Sequence, residues 1–355
     1  MKTSWKKLLT VVSTALLCGA LLTGCGGSGG SGGSDGSGGG MLGSKSLGPD
    51  APKEVVAQLK FGDKDVPLYE YTGAELPKFI SGTTLAVTKD AIYGIGYGAD
   101  KKAHLQKFAL KDGAITGVED LGTAEDMPVS SDGTNIYYIL DGKGTVGCYD
   151  GKAATSFTAA SGVEVSRVYA IYGGKDAYIS GQFASRDVLF GAISKEGMKD
   201  PKVVLPKDEF GKLSQAKDVT KESNASLVCA DKDGFYISTL ATNGGGSDKW
   251  TFPLHMYGPD GKKIRTFDCN ADLPSGAEKR KAGERQAIAT KDYVVFFYSG
   301  YLRLFNKKDG KYVGDIELML EKHKIDPRGV TADDANHIYF TDAGGDQPMI
   351  YRIDL

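Results

Sequence analysis

The sequence lacks most of what catalytic and cofactor chemistry leaves behind. Its four histidines, His104, His255, His323 and His337, are too scattered for the spacing of a zinc site. Outside the low-complexity Gly/Ser run of residues 26–40 it has no Gly-x-Ser-x-Gly elbow, and it has no phosphate-cradling loop of the Gly-Lys-Ser/Thr type, so neither hydrolase nor P-loop chemistry is signalled. Positive charge is not in excess, since 43 Lys and Arg stand against 45 Asp and Glu in 355 residues, and nucleic acid is not an expected partner. No apolar run reaches the roughly 17 residues that a spanning helix needs, because the longest, Leu8 to Leu22, has 15. Cysteines are few and do not form a disulfide framework. Amphipathic helical patterns are also missing, while 49 glycines and 18 tyrosines favour turns and strands.

What is present begins with an address. Lys2, Lys6 and Lys7 give a positive start, Leu8 to Leu22 is apolar, and Leu22-Thr23-Gly24 precedes Cys25, the order of a secretory signal peptide. The run Leu22-Thr23-Gly24-Cys25 resembles the lipobox of bacterial lipoproteins. That resemblance implies removal of residues 1–24, a diacylglycerol on the Cys25 sulfur, and a membrane as partner through the lipid. A plain cleaved signal with an incidental cysteine is the alternative. Gly26 stands where an aspartate would resemble an inner-membrane retention signal, so the outer membrane or cell surface is the favoured location. Residues 26–40 hold 10 Gly, 4 Ser and 1 Asp. Such a composition has nothing to bury and reads as a flexible tether within residues 25–50, with a mean reach on the order of 20 Å. An engineered linker is the competing reading of so regular a run. Without residues 1–24, 40 basic residues face 45 acidic ones, a formal charge of −5, and Cys148, Cys229 and Cys269 remain as an odd set.

Residues 51–355 form one further domain, and internal repetition sets its architecture. A short apolar strand, a polar turn and a strand carrying Tyr or Phe recur six times, at 85–95, 128–140, 168–180, 227–239, 287–299 and 329–342. The turns fall at Asp90, Asp132, Gly174, Asp231, Asp292 and Asp333, spaced by 42, 42, 57, 61 and 41 residues. About 40–50 residues per unit is the period of a four-stranded propeller blade. The second half of each unit supplies hairpins such as HLQKFAL-KDG-AITGV and YLRLFN-KKDG-KYVGDI, in which Asp-Gly allows positive φ at both central positions. The expected fold is therefore all-β, a six-bladed β-propeller of four-stranded antiparallel blades. After Asp333 only 22 residues remain, too few for a complete last blade, so an N-terminal strand is expected to close it. The alternation of Val55, Ala57, Leu59 and Phe61 with Glu54, Val56, Gln58 and Lys60 nominates residues 54–61. Ile316, Met319, Leu320 and His323 have helical spacing and predict a short helix within 315–324.

The final unit, Pro327-Arg328-Gly329-Val330-Thr331-Ala332-Asp333, then His337-Ile338-Tyr339-Phe340-Thr341-Asp342 and Ile350-Tyr351-Arg352-Ile353-Asp354, resembles a blade of the six-bladed NHL or TolB-like propellers. The resemblance extends as a pattern over residues 53–355. That family spans scaffolds, sugar-lactone hydrolases, lyases and envelope proteins, so a shared fold implies architecture far more than chemistry. It also implies that the loops entering each innermost strand, and those between second and third strands, share one face around the channel, where ligands usually sit. Arg167, Arg285 and Arg328 fall at near-equivalent positions there, with Asp126, Asn224 and Glu284 near the others. Three guanidiniums around one mouth are suited to a carboxylate, sulfate or phosphate. Alternatively each pairs with a nearby acid, Glu164, Glu284 or Asp326. Tyr97, Phe183, Trp250 and Tyr301 are candidates for stacking on a sugar or a partner's side chain, against the commoner fate of packing between blades. Lactonase-like propellers hold a divalent metal with a Glu, Asn and Asp set; only Asn224 with Asp126 and Glu284 approaches it, so no metal or other cofactor is carried over.

Two long insertions, residues 206–223 and 270–286, precede the fourth and fifth repeats, and the run Glu278-Lys279-Arg280-Lys281 reads as a solvated loop. The leading expectation is a displayed binding module whose channel face takes an extracellular ligand, such as an anionic glycan or peptide, or a protein. An envelope assembly scaffold is the second reading, and a metal-dependent hydrolase or lyase the third.

Overall fold

The computed structural model describes residues 48–355 apart from 79–83, 142, 159–162, 174–176, 184–187, 195–196, 199–224, 240, 243–249, 252, 269–286, 299, 322 and 343–347. The proposed signal, Cys25 and the Gly/Ser tether therefore lie outside the described residues, as do Cys269, both long insertions and the turn at Gly174.

Six antiparallel sheets of four or five strands follow the repeats. The first blade is Ala86–Thr88, Ala91–Tyr97, Ala103–Lys111 and Ala114–Thr123, and the second Ser130–Ser131, Ile136–Asp141, Thr145–Tyr149 and Ala154–Thr158. The third is Val163–Ala170, Ala177–Phe183, Val188–Ser194 and Gly197–Met198. The fourth is Ala225–Asp231, Gly234–Thr239, Leu254–Tyr257 and Lys263–Phe267, and the fifth Ala287–Ala289, Tyr293–Tyr298, Tyr301–Asn306 and Tyr312–Glu317. The sixth has five strands, Pro327–Ala332, His337–Asp342, Ile350–Asp354, Lys64–Tyr71 and Val55–Phe61. Each innermost strand packs against that of the next blade, and the sixth meets the first, so the ring closes. The chain is an all-β propeller of antiparallel blades closed by its N-terminal segment.

Closure differs in one detail from the sequence expectation. Lys64–Tyr71, rather than residues 54–61, pairs directly with the C-terminal strand, with Leu68 opposite Ile353 and Tyr71 opposite Ile350. Val55–Phe61 lies outside it as a fifth strand. Its alternation is genuine, but it reflects an edge strand with one buried face, on which Leu59 is 4 % exposed. Nor do the described residues of 315–324 form a helix. The fifth blade runs to Glu317, and a two-stranded ribbon follows, Met319–Leu320 with His323–Lys324, turned by Glu321 at φ 45°.

The Asp-Gly hairpins differ: at Asp309-Gly310 the glycine alone has positive φ, at 78°, whereas in the first blade both positions do. Asp112 and Gly113 take φ of 52° and 75° between the third and fourth strands of the first blade, as a tight turn with two left-handed positions requires. The inner hairpins are locked by a second device. Asp231 accepts the backbone N–H of Asp233 and Gly234 and the Tyr236 hydroxyl at 2.9 Å. Asp132 with Tyr137 and Asp333 with Tyr339 repeat this at 3.3 and 2.8 Å. Each carboxylate caps its own turn and grips the next strand, which satisfies buried polar groups at the same end of three blades.

Blades are joined by polar contacts as well as apolar packing. Lys307 of the fifth blade reaches Asp231 at 3.1 Å and Asp233 at 2.7 Å in the fourth. Burial opposes its charge, yet the two carboxylates hold the ammonium above its ordinary pKa. Ser130 donates to the Val168 carbonyl at 3.1 Å and accepts the Ala170 N–H at 2.8 Å, tying the second blade to the third.

Candidate functional site

Because the inner Asp turns mark one face, the loops between second and third strands lie on the other, together with the segments entering each innermost strand. The sequence candidates can be placed on this second face only in part.

Arg167 lies within the innermost strand of the third blade rather than in the loop before it. It is half-buried, and its Nη1 donates to the Tyr169 hydroxyl at 3.4 Å. It has no ion-pair partner among the described residues, and Glu164 does not claim it. Burial raises the pKa of the Tyr169 hydroxyl, with Arg167 acting in the opposite sense. Arg328 behaves differently, since its Nη2 meets Asp326 at 2.9 Å, the local pairing that its sequence neighbourhood allowed. Arg285, Glu284 and Asn224 lie outside the described residues. Asp126, before the second blade, has its carboxyl pKa raised by burial.

The aromatic candidates also separate. Tyr97, at the end of a second strand, is 47 % exposed. Tyr301 begins the third strand of the fifth blade, where its hydroxyl donates to Glu317 at 3.1 Å and its ring lies 4.4 Å from the Lys324 ammonium. That ring is already occupied, which is the packing fate. The backbone at Trp250 pairs with Thr242 in a short ribbon, Ala241–Thr242 with Trp250–Thr251, between the second and third strands of the fourth blade. The side chains of Phe183 and Trp250 lie outside the described residues.

Three histidine arrangements on the same blades were not visible from a search for metal spacing. His104 lies between two carboxylates, with Nδ1 at 2.8 Å from Asp120 and Nε2 at 3.0 Å from Asp100. His323, whose side chain is 43 % exposed, hydrogen-bonds through Nε2 to Asp342, a carboxylate buried to 2 % that also accepts the Asp326 N–H at 3.0 Å. His255 is buried between the hydroxyls of Thr239 and Thr266 at 2.8 and 2.9 Å. Burial holds it neutral, pushing its pKa down to about 4. The Asp100/His104 spacing of four residues was a readable signal; the other two depend on contacts between strands. Among the described residues no three His, Cys, Asp or Glu converge as a metal centre. Cys229 is buried, which pushes its thiol well above the ordinary range, so it acts as a small apolar side chain.

No family model matches the chain. No curated protein matches it either. Solved structures align over much of the chain. A gluconolactonase from Xanthomonas campestris aligns over 87 % of this chain and 98 % of its own, with 11 % identity and a TM-score of 0.48. BamB from Moraxella catarrhalis aligns over 81 % and 98 %, with 13 % identity and a TM-score of 0.36. The WD40 domain of Toxoplasma gondii coronin aligns over 87 % and 89 %, with 10 % identity and a TM-score of 0.47. With identities of 10–13 % and TM-scores below 0.5, nothing passes from these proteins to this chain.

Proposed function

We propose that the chain is an exported, lipid-anchored binding module, favoured at an outer membrane or cell surface, whose channel face takes an extracellular anionic ligand such as an acidic glycan or a peptide carboxylate. Arg167 carries the reading. It is a half-buried guanidinium on an innermost strand with no carboxylate partner among the described residues, and it leaves donors for a planar anion. Tyr97, exposed on the same face, offers a stacking surface for a sugar ring.

Calorimetric titration of the protein with an oligomer of galacturonic acid tests the site. Arg167→Ala is expected to weaken binding about 10- to 100-fold, the worth of one charged hydrogen-bonding group, with the melting temperature close to that of the parent. Equal affinity in the folded variant would overturn the role of Arg167. The anchor is tested separately. Cys25→Ala is expected to release the protein from the membrane pellet and abolish incorporation of radiolabelled palmitate; a variant that stays in the pellet and still takes up label removes the lipobox reading.

A further inference from the structure

The channel-side loop of the first blade joins Ala91–Tyr97 to Ala103–Lys111 and carries the exposed Tyr97. The loop leads into His104, the second residue of the returning strand. Both oxygens of Asp120, from the outermost strand, lie 2.8 Å from Nδ1. On the other side Asp100, from the loop itself, lies 3.0 Å from Nε2 but off the axis of a hydrogen bond, so it acts mainly as a charge. Each carboxylate is fixed by backbone. Asp120 accepts the Gly122 N–H and Asp100 the Lys102 N–H, both at 2.9 Å. The imidazole packs against the loop at Gly98, where a Cβ would come to 2.5 Å from the ring.

Of the other charges near the ring, Lys101 and Lys102 are exposed on the loop itself. Lys102 is 4.0 Å from Asp100, while Lys107 is paired with Glu119 at 3.3 Å and faces the Tyr149 ring. Among the described residues His104 is the ion-pair partner of Asp120, and Asp100 meets His104 and Lys102. The ring meets an acceptor at Nδ1 in Asp120 and a second carboxylate charge 3.0 Å from Nε2 in Asp100, surroundings that favour its protonated form.

We propose that His104 is a proton-operated clamp on the Tyr97 loop, which holds this part of the channel face in place under mildly acidic conditions and releases it as pH rises. The hydrogen bond to Asp120 raises the pKa of His104, burial opposes it, and the charges of Asp120 and Asp100 add to the rise. The sign follows. A folded value raised above the ordinary 6.5 means that the clamp is fully present below 6.5 and is lost as pH passes through the folded value. As a control on ligand binding this rests on the reading of the channel face given above; the clamp itself does not.

Proton NMR of the His104 ring in the full chain, with hydrogen exchange of residues 97–103 between pH 5.5 and 8.5 corrected for intrinsic rates, tests the clamp. His104 is expected to titrate above 6.5, and protection of the loop to fall about tenfold for each pH unit of that excess. In His104→Gln the loop is expected to exchange with no pH dependence of its own, and in Asp120→Asn the titration to move down. A wild-type titration at or below 6.5, or loop protection that is flat with pH in the wild type, overturns the proposal. If the clamp titrates but no acidic oligosaccharide binds at any pH, the clamp stands and the ligand assignment falls.

Discussion

Arg303→Ala is expected to lower the stability of the protein by about 3 kcal/mol, at the lower end of the 3–5 kcal/mol that breaking a buried ion pair costs. Arg303 is fully buried on the third strand of the fifth blade, flanked by Leu302 and Leu304, which are also fully buried. Directly across the ladder is Asp315. The pair is bidentate, with Nε and Nη2 of Arg303 at 2.8 and 2.7 Å from the two carboxylate oxygens, and Tyr312 covers the guanidinium at 5.8 Å. Removing the arginine strands the carboxylate beside a cavity. Because Asp315 is 22 % exposed, water can reach it and recover part of the loss, hence the lower end. Arg303→Met with Asp315→Leu restores volume without leaving a lone charge, so the double variant is expected to be more stable than the alanine variant. Urea midpoints, with slopes checked for constancy, measure both effects. A loss under 1 kcal/mol for Arg303→Ala would show that the pair and its desolvation cancel.

Much of the architecture was legible in the sequence because propeller blades repeat and each repeat ends on turn chemistry with few conformational solutions. The Asp-Gly hairpin at residues 112–113 is such a case, since both residue types tolerate the positive φ that its tight turn takes. Where local patterns competed, the sequence was ambiguous. In 315–324 the apolar residues fit a helix, but Ile316 and Leu318 are fully buried while Met319 is 38 % exposed, so a two-residue period governs the fold there. The candidate site was less legible, because pairing between strands decides which charges are free. Arg328 and Asp326 are two residues apart and pair, which spacing alone suggests. The clasp of His104 by Asp120 depends on a hairpin register that shifts at a bulge, and no sequence period contains it.

The same competition concealed the closing strand and gives the prediction with the largest effect. Lys64–Tyr71 contains Pro67, which speaks against a central strand. Pairing with the C-terminal strand begins only at Leu68, however, so the missing N–H of Pro67 lies just outside that ladder. Val66, Leu68 and Tyr71 on this strand are 4 %, 0 % and 3 % exposed. At about 1.5–3 kcal/mol for each buried side chain, they contribute about 5–9 kcal/mol, comparable with the whole stability of an ordinary domain. Their removal also leaves Ile350–Asp354 as an unpaired edge in the middle of an apolar cluster. Deletion of residues 45–71 is therefore expected to abolish the cooperative thermal transition and yield aggregate. Deletion of 45–62 removes the fifth strand, one core side chain in Leu59, and the Pro49 carbonyl that accepts from Arg352, but leaves the closing ladder intact. That shorter truncation is expected to melt cooperatively at a lower temperature. Calorimetry of the two truncations separates closure by the fourth strand from closure by the fifth, because equal unfolding of both would return the closing role to residues 55–61, and a cooperative transition in the longer deletion would show that the ring does not need the N-terminal segment at all.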